Sequence, residues 1–139
     1  MSQDVINLVC GMDAGSVETQ MALQCAPLIV GLKISNLFTI YNSQLKKMKR
    51  LLVRSQISFY VLYAGEDRST ILLYNVRQLY AYLMRPEVWK FMERCGYKSG
   101  DLSEVLAMFR RHYQLYRAGK RKFPDELGAL LGYPIEDIE

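Results

Sequence analysis

Two periods of apolar residues alternate along the 139-residue chain, and the changes from one to the other mark its elements. Gly11 to Gly15 reads as a loop, and Ser16 is placed to cap a helix from Val17 to about Cys25. Pro27 disfavours helix at Ala26 and lacks an amide donor. Leu28 to Leu32 is apolar on every side and is expected to be buried. Asn36 to Tyr41 reads as a strand. Ser43 can cap a helix from Gln44 to about Arg54, with Leu45, Met48, Leu51 and Leu52 on one face and cations over the rest. Ile57 to Tyr63 and Thr70 to Tyr74 are rich in β-branched and aromatic residues, and Gly65 to Arg68 lies between them as a turn. That pattern predicts a hairpin.

Beyond the hairpin the period is helical. Val76 to Met84 forms one segment. Pro86 suits the first turn of a second, which runs to about Cys95 and stops at Gly96. Asp101-Leu-Ser-Glu104 resembles a capping box. Leu102, Val105, Leu106, Phe109, Tyr113 and Tyr116 then follow helical spacing, which Gly119 ends. Pro124 opens a short helix, closed by Gly132-Tyr-Pro134. Helix, strand, helix, hairpin and further helices predict an α+β fold: a small mixed three-stranded sheet packed by about six helices. The length suits a single domain over residues 1–139, with residues 1–16 expected to be flexible.

Composition changes this picture little. Half of the residues are hydrophobic, enough for a core without staples. No apolar run approaches the roughly 20 residues that span a bilayer, and the N-terminus lacks the basic region of a secretory signal. A cytoplasmic location away from membranes is expected. Cys10, Cys25 and Cys95 are odd in number and widely spaced, unlike a disulfide framework. With one histidine, His112, and no C-x-x-C pair, neither a metal site nor a cofactor is expected.

Charge changes it more. Residues 1–32 hold three acids and no base, a net −3. Residues 33–122 hold all 18 Lys and Arg against six acids, a net +12. Residues 123–139 hold five acids and no base, a net −5. The overall +4 therefore conceals a basic middle between acidic ends, suited to a phosphate backbone or an acidic protein, unless the ends neutralise it.

Two groups of cations make up the candidate contact surface. Lys46, Lys47, Lys49, Arg50 and Arg54 lie on the second helix; Arg110, Arg111, Arg117, Lys120, Arg121 and Lys122 lie on and after the long one. A solvated basic face is the simpler reading of both. Tyr113 and Tyr116 interleave with the second group, at a spacing that suits core packing better than base stacking. Ten tyrosines is a high count, and Tyr80 and Tyr82 point to different sides of a helix, so at least one is expected on the surface. Lys33, after Gly31 and five apolar residues, is a candidate anion ligand or a stem reaching to solvent.

Catalytic patterns are absent: there is no phosphate-binding glycine loop, no dinucleotide fingerprint and no nucleophile elbow. His112 lies in a basic helix with no acid at an adjacent helical position. Asp125 and Glu126 are accounted for by the preference of acids for helix N-termini. Cys25 is the one weak catalytic candidate. At a helix C-terminus its thiolate is disfavoured, so packing is the better reading.

Three blocks carry a family likeness. They are Cys25-Ala-Pro-Leu-Ile-Val-Gly-Leu-Lys33 with Asn36-Leu37, Arg85-Pro-Glu-Val88 with Gly96-Tyr97, and Phe123-Pro-Asp-Glu-Leu-Gly-Ala-Leu-Leu-Gly-Tyr-Pro-Ile-Glu-Asp-Ile138. Over residues 18–138 the chain resembles the uncharacterised bacterial and phage family known as domain of unknown function 3793. The resemblance implies no specific activity. Its phage members imply a protein acting on a host component, of which an inhibitor of a host defence nuclease is one concrete form.

The expected function is therefore non-catalytic binding of a protein or nucleoprotein partner through the basic surface. The alternatives are a thiol-dependent enzyme or redox protein using Cys25, and a direct nucleic-acid-binding domain.

Overall fold

The computed structural model describes residues 17–138. The Gly11–Gly15 loop, the Ser16 cap and the flexibility expected of residues 1–16 lie outside the described residues.

Helix α1 (Val17–Ile29) is followed by strand β1 (Ser35–Tyr41), a 3-10 turn (Asn42–Gln44) and helix α2 (Leu45–Leu52). Strands β2 (Ile57–Ala64) and β3 (Arg68–Asn75) form the hairpin. Helices α3 (Val76–Leu83), α4 (Pro86–Arg94), α5 (Leu102–Arg117), α6 (Glu126–Leu130) and α7 (Ile135–Ile138) complete the chain. The class is α+β.

The sheet order is β1-β3-β2, and β3 is antiparallel to both neighbours. The expected mixed sheet is thus antiparallel in every adjacent pair. β1 and β2 do run the same way, but the hairpin folds so that β3 enters between them.

Central β3 is buried from Ser69 to Tyr74, and its side chains alternate between two cores. Ile71 and Leu73 face α1 and α2 together with Phe38, Ile40 and Ile57. Leu72 and Tyr74 face the opposite way, toward Leu79, Val88, Met92, Phe109 and Leu130 of the later helices. Helices therefore cover both faces.

A β-bulge interrupts β2 between Val61 and Tyr63. Val61 pairs with Ile71 and Tyr63 with Thr70, which leaves Leu62 as the extra residue. Phe59 and Val61 pack with the α1–α2 core, whereas Tyr60, Leu62 and Tyr63 all pack with the α3–α7 core. Without the bulge, strict alternation would send Tyr63 to the side of Phe59 and Val61.

Three local expectations need correction. Helix α1 does not end at Cys25 but runs through Pro27 to Ile29. The ring removes only the bond to the Leu23 carbonyl, and Leu23 lies on the exposed side, 65% accessible. The Pro27 carbonyl then accepts from the Leu32 and Lys33 amides and closes the turn. Nor is the apolar run wholly buried: Leu28 is in the core, while Val30 and Leu32 are exposed. Ser43 lies inside the 3-10 turn, and neither that turn nor α2 has a side-chain cap. Asp101 does cap α5, accepting from the Ser103 amide at 2.9 Å.

Candidate interaction surface at the sheet edge

Strand β2 is an edge of the sheet, and the two basic helices approach it from opposite faces. From the α1–α2 layer, Lys49 Nζ lies 5.8 Å from the centre of the Phe59 ring. From the other layer, the Arg110 guanidinium stacks 4.0 Å above the Tyr60 ring. Arg117 stacks 4.5 Å above Tyr63. Arg110 and Arg117 are seven residues apart, two turns along α5, so both fall on the helix face toward β2. The bulge supplies the second ring, because it turns Tyr63 to the α5 side. Each contact combines a cation with the negative face of an aromatic ring. Arg110 also donates its Nε–H to the Val61 carbonyl at 2.8 Å.

The remaining predicted cations of the two groups lie elsewhere on and beyond the same two helices. Lys46, Arg50 and Arg54 are exposed on and just beyond α2. Lys47 pairs with Glu18 of α1, so one acid of the N-terminal segment does meet the basic middle. Arg111, Lys120, Arg121 and Lys122 are exposed on α5 and the turn after it. Lys122 lies 3.9 Å from Asp125 in an open pair. Lys33 is half-buried and donates from Nζ to the Asn36 side-chain oxygen at 3.3 Å.

Cys25 is in the middle of α1 and 4% exposed, packed in the α1–α2 core. Burial pushes its thiol up to about 11, so at neutral pH it is a protonated packing group. Tyr80 is exposed, and Tyr82 donates to the Tyr133 carbonyl at 2.8 Å. Tyr113 is buried and Tyr116 lies at the surface with its ring edge-on to Phe123.

Sequence reasoning missed a buried polar cluster. Glu126 is 2% exposed and His112 6%. The Glu126 carboxylate lies 2.5 Å from His112 Nδ1 and accepts from the Tyr97 hydroxyl at 3.1 Å. Burial, then the Glu126 charge, raise the Tyr97 hydroxyl well above its usual range. Glu126 therefore does more than favour a helix N-terminus, and His112 does have an orienting acid. The partners are 14 residues apart on different helices, beyond the reach of local spacing rules. The cluster ties α6 to α5 and to the turn after α4. Among the described residues, no group of three or more His, Cys, Asp or Glu side chains could hold a metal ion.

The second and third blocks meet around α6 and α7, whereas Cys25 and Leu28 of the first lie in the α1–α2 core and its Leu37 packs on the α3–α7 side. Tyr97 reaches Glu126, and the buried Ser35 hydroxyl donates to the Leu130 carbonyl. Arg85, Glu87 and Val88 face Gly132, Pro134, Ile135 and Glu136 across an open cleft of about 530 Å³. Much of the likeness thus lies in one packed region away from the basic edge.

No curated protein and no solved structure matches the chain. One family model does match, over residues 21–139, and its description is protein of unknown function (DUF3793). That match covers most of the chain, from within α1 through the last described helix, so the protein belongs to this family.

Proposed function

We propose that this protein is a non-catalytic binding protein that engages a protein or nucleoprotein partner through its basic surface. One observation carries the reading: cations from both faces of the sheet, Lys49 on one side and Arg110 and Arg117 on the other, reach over a single strand edge. Two helices distant in sequence thereby each place cations against the same strand, which supports the reading. Cations concentrated in this way attract an acidic partner over a Debye length, about 8 Å at physiological salt. An inhibitor that engages a host nuclease is one form such a binder can take. The buried Cys25 supports this reading over thiol chemistry, because a thiol held protonated in a core is a poor nucleophile.

The test is capture of partners from a host lysate on the immobilised protein, with and without nuclease treatment. The expected outcome is a discrete partner that survives nuclease and is lost at high salt. Recovery of nothing under either condition would count against the proposal, and a partner lost on nuclease treatment would favour direct nucleic-acid binding.

A further inference from the structure

We propose that the β2 edge docks an acidic protein surface by gripping its carboxylates, rather than by adding a strand or tracking a nucleic acid. This rests on the basic-surface reading above and narrows it to one site and one partner chemistry.

An open sheet edge ordinarily invites another strand, because its backbone donors and acceptors are unpaired. Here the middle of the edge is closed. The Val61 carbonyl is taken by Arg110, and the bulge beside it breaks the register an added strand would follow. What the edge offers instead is side chains.

Those side chains fit carboxylates. Arg110 is held twice, by its Nε–H bond and by the Tyr60 ring, so its plane is fixed before any partner arrives. Its two terminal nitrogens remain to form a fork with a carboxylate, the planar bidentate geometry that arginine favours. Arg117 repeats the stacked arrangement two turns along α5.

The surroundings fit a protein better than a nucleic acid. Single-strand binders present aromatic faces on which bases stack. At this edge a cation already covers one face of each ring, at Phe59, Tyr60 and Tyr63. All three aromatics and Val61 are partly exposed, so apolar area lies between the charges. Arginine interleaved with tyrosine and phenylalanine is the composition of protein-interface hot spots. A surface that follows phosphates needs cations alone.

The experiment measures anisotropy of labelled poly-L-glutamate, and of single-stranded and duplex DNA of comparable charge, against the full chain. The edge variant is Lys49→Gln/Arg110→Gln/Arg117→Gln. Its control, Lys46→Gln/Arg54→Gln/Lys120→Gln, removes the same charge elsewhere. Poly-L-glutamate is expected to bind, with affinity about tenfold or more weaker in the edge variant but only about twofold weaker in the control, whose cations belong to the wider basic surface and act at longer range. Arg110 bonds the backbone, so Lys49→Gln/Arg117→Gln, which touches only exposed cations, repeats the test if the triple variant unfolds; several-fold weakening is expected. Equal losses in edge and control variants would overturn the edge proposal and leave the basic-surface reading standing. Binding of DNA but not of poly-L-glutamate would overturn the carboxylate partner while sparing the basic surface. Binding of neither polymer would overturn both.

Discussion

Single residues show how far burial alters chemical character in this protein. Glu126 looks like an ordinary first-turn acid and is in fact one of the most buried side chains, shared by His112 and Tyr97. A buried charge without its partners is costly, and removing one member strands the others. Glu126→Ala is therefore expected to lower stability by about 3–5 kcal/mol. Urea unfolding followed by circular dichroism measures it, and a loss under about 1 kcal/mol would mean that the cluster is not holding α6. Cys25 gives a pH signature. Its folded thiol keeps its proton to about 11, against 9.0 for the free group. Between those values the folded state binds more protons than the unfolded one, so stability falls as pH rises from about 9 to about 11. Cys25→Ala is expected to flatten that slope in an unfolding series across the range; an unchanged slope would assign it to other groups, such as the buried Tyr97.

At the scale of elements, the hairpin and its bulge organise the candidate surface. The tip is tight: the Gly65 amide bonds the Arg68 carbonyl at 2.9 Å. Asn42, in the turn after β1, donates its side-chain amide to the Gly65 and Glu66 carbonyls and so ties the tip to the neighbouring strand. A Cβ at Gly65 would lie 2.5 Å from the Arg68 carbonyl oxygen, a backbone atom that cannot swing aside. Gly65→Ala is expected to lower stability by about 1–3 kcal/mol. The same urea titration should show an earlier midpoint with an unchanged slope. No change in midpoint would mean that the turn relaxes freely. The helices were largely legible in the sequence because their signals are local: Pro86 at the start of α4, Asp101 before α5 and glycines of positive φ at 96, 119 and 132. The continuation of α1 past Pro27 was not. It depends on packing of Met21, Cys25 and Leu28 against the sheet, which outweighs one missing hydrogen bond.

At the scale of the whole molecule, the sheet separates two cores and carries the basic helices on opposite sides. The acidic ends touch this system lightly among the described residues, through Glu18 on Lys47 and Asp125 near Lys122. Among the described residues the cations are exposed apart from the half-buried Lys33 and Arg110, which is the condition that partner capture and the polymer binding comparison both probe. No helix among the described residues is long and apolar enough to cross a membrane.

The sequence by itself determined the α+β class, most element limits, the family likeness and the basic middle, because periodicity, caps and charge counts are written in neighbouring residues. Only the tertiary structure decided what those cations do together. Lys49 and Arg110 are far apart in sequence, yet they stack on adjacent residues of β2, Phe59 and Tyr60, from opposite faces of the sheet. Arg117 finds Tyr63 because one extra residue in β2 turns that ring across the sheet. The His112–Glu126–Tyr97 cluster arose in the same way, from helices brought together by the core. Such meetings follow from strand order, a bulge and long-range packing, and none of these is a property of a local stretch of chain.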